Sequence, residues 1–133
     1  MAAVTQMKMA HDRDPKKVIR EDVGDVTGYE VFHSQVLCGI YERPEKTAGG
    51  IILAPTTKRE DLFQGVVGLV LKVGPGAFKD DALNKFHGMC VKEGDWVVFR
   101  TSDGWKTAIN GKHCILLEDA HIKARIQHPD QVY

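Results

Sequence analysis

The stretch Gln35-Val36-Leu37-Cys38-Gly39-Ile40-Tyr41, with the strand-poor segment that follows it from Glu42 to Phe63, decides the fold. Val36, Cys38 and Ile40 share one face by the period of two that a β-strand imposes. The next strand pattern comes in Gln64–Val73, where Val67, Leu69, Leu71 and Val73 alternate in the same way. Both segments are expected to be half-buried strands. The twenty or so residues between them are too long for an ordinary connection in a small domain, and loops of that length usually carry function or lack order.

Working outward, turn chemistry divides the rest of the chain. Gly74-Pro75-Gly76 ends the second strand, proline fixing φ and glycine allowing a positive one. Trp96–Arg100, Trp105–Ile109 and Cys114–Leu117 read as short strands, separated by Ser102-Asp103-Gly104 and by Asn110-Gly111, a strong type I′ hairpin signal. Ile122, Ala124 and Ile126 alternate with Lys123 and Arg125, which predicts a last strand with one face inward. Asp95 and Asp103 read as turn residues that bond nearby backbone amides. Short strands at this spacing, without a convincing amphipathic helix, predict an all-β fold, a small antiparallel barrel.

The first thirty residues stand apart. Met1–Glu30 carries five basic and six acidic side chains, and its apolar residues hold neither a helical nor a strand period. Asp14-Pro15 is suited to start a short helix through Lys16–Glu21, which Gly24 would end. Residues 1–28 are therefore expected to be an N-terminal arm, either a solvated tail or an extended strap, and residues 29–133 a barrel domain.

Composition narrows the function. The chain has 133 residues, 43% hydrophobic and 27% charged, enough for one domain that buries about two-thirds of its unfolded surface. Eighteen basic residues balance eighteen acidic ones, so the long-range attraction that nucleic acid or an anionic membrane needs is missing. No apolar run approaches a membrane span and no signal-peptide core is visible, so cytoplasmic folding is expected. Three cysteines, Cys38, Cys90 and Cys114, fit reduced thiols better than a disulfide framework.

Enzymatic signatures are sparse. No Ser/His/Asp spacing, phosphate loop or dinucleotide fingerprint is present, and no cofactor is expected. His87-x-x-Cys90 and His113-Cys114 are the only metal-like pairs, and adjacent strand residues such as His113 and Cys114 point to opposite faces. They are read as exposed histidines and structural cysteines, with no metal site. Trp96 and Trp105 read as barrel or subunit-contact residues.

Within the long segment lies Gly49-Gly50-Ile51-Ile52-Leu53, an apolar triplet behind two glycines and between polar flanks. Two readings are open: a short buried strand, or an exposed sticky island on a hinge. At this point the sequence resembles the co-chaperonins of the GroES type. The run His33-Ser-Gln-Val-Leu-Cys-Gly-Ile-Tyr-Glu-Arg-Pro-Glu-Lys-Thr-Ala-Gly-Gly50 has that family's spacing from its first-strand histidine to its mobile-loop glycines. The likeness continues in Gln64–Val67 with Val73–Gly76, in Val91–Phe99 and in Leu116–Ala124, and covers about three-quarters of the chain.

The resemblance implies a partly open β-barrel that assembles into a ring, usually of seven subunits, and caps a large ATP-driven chaperonin. By that resemblance residues 42–63 are the mobile loop, with Gly49, Gly50, Ile51, Ile52 and Leu53 as the chaperonin contact. Residues 74–91 match the roof hairpin over the cavity, with Asp80, Asp81, Asn84 and Lys85 as its polar tip, either cavity-facing or merely solvated.

Three departures stand out, and the last keeps a second reading in view. Val31, Ser34 and Gln35 replace the family's residues around the first-strand histidine, and Phe78, Phe86, Met89 and Cys90 are unusual in the roof. The arm has no counterpart in ordinary co-chaperonins. Tailed phages encode GroES-like proteins, so the alternative is a virion decoration protein whose arm contacts neighbouring capsid subunits. A lid would not need the arm, and a decoration protein would depend on it.

Overall fold

The computed structural model describes residues 14–42, 67–79 and 86–129. A helix, α1 (Pro15–Val23), precedes six strands: β1 (Gln35–Ile40), β2 (Val67–Val73), β3 (Trp96–Val98), β4 (Trp105–Ile109), β5 (Lys112–Glu118) and β6 (Ala124–Ile126). They form one antiparallel sheet in the order β4-β5-β1-β2-β3-β6, which among the described residues leaves β4 and β6 at its two edges. This is an all-β architecture consistent with the GroES-like fold.

The sheet has two apolar faces. One gathers Val36, Cys38, Ile40, Val70, Val97, Phe99, Ile115 and Leu117 into a buried core. The other gathers Leu37, Tyr41, Val67, Leu69, Leu71, Trp96 and Cys114, and is covered by Ile19 and Val23 of α1 and by Val31. The central strands are thus not half-buried: Val36 through Ile40 and Val67 through Leu71 are buried on both faces. Alternation reports only one covered face, and here a helix distant in sequence covers the second.

That helix forms for local reasons. Asp14 accepts a bond from the Lys16 amide at 3.1 Å, Pro15 occupies the first turn, and Gly24, at φ 77°, closes the end with its N–H on the Arg20 carbonyl at 2.9 Å. It runs to Val23, one turn fraction beyond the expected Glu21. Ile19 and Val23 are four residues apart, hence on one face, and are 3% and 1% exposed. Their spacing was an amphipathic signal too short to stand out in the composition of the arm. Neither a solvated tail nor an extended strap describes residues 15–23.

Other expectations shift by small amounts. β3 stops at Val98 rather than Arg100, because Phe99 turns into the core and Thr101–Asp103 makes a 3-10 turn. β5 is longer than Cys114–Leu117. β6 begins after a 3-10 turn at Asp119–His121, so Ile122 precedes it, and Ala124 is exposed because an edge strand meets a partner only on the β3 side. Asn110 and Gly111 have φ of 52° and 80°, as a type I′ turn requires.

Asp95 behaves as expected, its carboxylate accepting the Lys92 amide at 2.9 Å, whereas Asp103 pairs with the Arg100 guanidinium. That pairing holds the Asp103 carboxyl below the usual carboxylate range. At Gly74 the reason for glycine is close approach, not a positive φ: a Cβ there would lie 2.5 Å from the His33 carbonyl oxygen.

Candidate functional site

The two sets of candidate contact residues, Gly49, Gly50, Ile51, Ile52 and Leu53 in the loop and Asp80, Asp81, Asn84 and Lys85 in the roof, lie outside the described residues. What the structure places is the base from which each segment departs.

The segment 43–66 leaves beyond β1 and returns at the head of β2. These strands are neighbours in the sheet, so the Tyr41 amide donates to the Val67 carbonyl at 2.9 Å and closes the base of the excursion. Tyr41 is 2% exposed, its ring set edge-on to Trp96 at 5.7 Å. Next to it, Glu42 faces the Lys112 ammonium at 3.8 Å. Sequence reading passed over Tyr41 as a root; the signal was an aromatic residue closing a strand just before its pattern ends.

The segment 74–91 departs and returns beside the chain around His33 and Asp119. The amides of Gly74 and Gly76 donate to the carbonyls of Gln35 and His33 at 2.8 and 2.9 Å, and the Phe78 amide donates to the Asp119 carboxylate at 3.0 Å. Phe78 and Phe86 meet edge-on at 5.4 Å, bringing the chain before residue 79 beside the chain after residue 85. The two rings line an open groove of about 690 Å³ together with Met89, Val91, Ile122 and the basic residues Lys92, Lys123 and Arg125. Met89 is 70% exposed.

Of the metal-like pairs, His87 and Cys90 are both exposed, while His113 is exposed and Cys114 buried, on opposite faces as strand geometry requires. Among the described residues, no group of three or more His, Cys, Asp or Glu side chains converges as a metal site would need. Burial pushes the Cys38 thiol strongly up, Cys114 adding to it, and pushes Cys114 up against the pull of Lys112. Such thiols are poor nucleophiles. Trp96 is buried in the core, and Trp105 stands 75% exposed on the edge strand β4.

Residues 29–126 match the family described as the Chaperonin 10 Kd subunit. The chain belongs to that family. Among its relatives in the Chaperonin 10 Kd subunit family, the co-chaperonin GroES of Dinoroseobacter shibae is 36% identical over 91 residues, which span 68% of this chain and 82% of that protein. Co-chaperonin GroES of Pelagibacter ubique is 36% identical over 94 residues, spanning 71% and 92%. That of Ruegeria pomeroyi is 34% identical over 96 residues, spanning 72% and 95%.

Family membership supports co-chaperonin function and gives the virion reading no support. The match begins at Tyr29, so α1 and its linker lie outside it.

Proposed function

We propose that this chain works as a lid subunit on a large, ATP-driven chaperonin, contacting it through Ile51, Ile52 and Leu53 on a loop hinged at Gly49 and Gly50. The observation that carries the reading is the family match across residues 29–126, which spans the segment 43–66 and both of its roots. An Ile-Ile-Leu edge suits an apolar groove between helices, and ordering a hinged loop costs entropy, so each contact is weak. A homo-oligomeric ring multiplies weak contacts through effective concentration, which lets a lid hold firmly and still release when ATP hydrolysis changes the groove. Asp80, Asp81, Asn84 and Lys85 then sit at the roof facing the enclosed chamber.

The expected site of action is the cytoplasm. Among the described residues no helix is long and apolar enough to cross a membrane.

The test is Ile52→Asp. Binding to a double-ring chaperonin in the presence of ATP, followed by sedimentation, should fall below detection, while the variant's own assembly and thermal midpoint stay with the parent. A variant that binds as well as the parent, or that loses its fold, would remove the triplet from the contact.

A further inference from the structure

The helix outside the family match shares one apolar cluster with the base of the loop. Ile19 and Val23 belong to the apolar cluster that contains Tyr41 and Val67, the residues whose backbone bond closes that base. The fit is specific. Gly39, two residues before Tyr41, leaves the space Ile19 fills, since a Cβ on Gly39 would fall 2.6 Å from the Ile19 Cγ2. At the far end of the helix the Asn110 side-chain amide donates to the Val23 carbonyl at 2.6 Å, from the turn joining β4 to β5. Two residues on, Lys112 pairs with Glu42 at the loop's departure. The linker after the helix is fastened as well, with the Lys72 ammonium donating to the Tyr29 carbonyl at 2.6 Å.

We infer that α1 is a brace built onto the co-chaperonin barrel, which fixes the two roots of the 43–66 segment through Gly39, Tyr41, Val67 and the Asn110 turn. The physical consequence concerns entropy. A loop whose roots are held in one geometry has less freedom to lose at its base when it binds, so a docked helix strengthens partner binding without touching the partner. This functional consequence rests on the lid reading above; the mechanical part does not.

The experiment separates the two. Amide hydrogen exchange is followed at Tyr41, whose N–H reports the root bond, and at Gly76, whose N–H bonds to His33 on the roof side. Ile19→Ala empties the space over Gly39. Asn110→Gly tolerates the positive φ and removes the side chain that bonds to Val23, so it serves if the first variant does not fold. Tyr41 exchange is expected to speed up about tenfold or more in either variant with Gly76 unchanged, and binding of the ring to a double-ring chaperonin is expected to weaken several-fold. Equal acceleration at both amides, or none at Tyr41, would overturn the brace. Faster Tyr41 exchange with undiminished chaperonin binding would overturn its link to function. A parent protein that binds no chaperonin would instead overturn the lid reading and leave the exchange result to judge the brace.

Discussion

The two faces of the sheet are equally buried but differently made. The inner face is closed by strands that lie within the family match, with Phe99 laid across Gly68, where a Cβ would come within 2.7 Å of its ring. The outer face takes its cover from α1, which lies outside that match. The same strands therefore carry one core built within the matched residues and one completed by a helix outside them. Burial alone does not distinguish them: Val23 is as hidden as Phe99, each at 1% exposure.

The sharpest way to break this comparison is to remove one cover at a time. Phe99→Ala should cost about 3–5 kcal/mol, the usual range for emptying a buried aromatic site. Deleting residues 1–28 should cost about 3–6 kcal/mol, taking about 1.5–3 kcal/mol for each of Ile19 and Val23. Urea denaturation measures both. The deletion replaces the earlier expectation that a lid could shed its arm without consequence, because the arm supplies core residues. If the truncated chain kept the parent's midpoint, the outer face would be ornamental and the two faces unequal after all.

A smaller effect compares the faces through their thiols, Cys38 on the inner and Cys114 on the outer. Burial raises the Cys38 thiol above its ordinary value of 9.0, so at alkaline pH the unfolded chain loses a proton that the folded chain keeps. The stability this preserves is complete below about pH 9 and is lost as the pH rises further, by about 1.4 kcal/mol per pH unit for a single thiol. Urea midpoints between pH 7 and 10.5 should fall more steeply in the parent than in Cys38→Ala. Parallel profiles would show that the inner face admits water or charge at that position.

The smallest effect lies at the tip of the helix. Asp14→Ala removes the N-cap and should cost about 1 kcal/mol, within the usual range for a lost cap. The loss should appear in exchange of the first-turn amides before it appears in the global midpoint. An effect as large as that of the deletion would mean that the helix docks only when its first turn is capped.

Much of this was legible locally. Asp14-Pro15 and Gly24 bound a helix because capping and backbone freedom are properties of single residues, and Asn110-Gly111 set a tight turn for the same reason. Period-two alternation located β1 and β2, turn signals on either side bounded β4, and the ordered motifs between His33 and Ala124 carried the family resemblance that the match over residues 29–126 shows. The candidate contact residues were legible only through that resemblance.

What tertiary structure alone decided is which surfaces meet. Nothing near Gly39 in sequence calls for Ile19, and nothing near Gly74 calls for the His33 carbonyl. Each glycine is explained by a neighbour that arrives from elsewhere in the chain and would collide with a Cβ. The second buried face, the closed base at Tyr41 and Val67, and the helix resting over it are likewise contacts between distant segments. Local preference determines what an element is, and non-local packing determines what it touches.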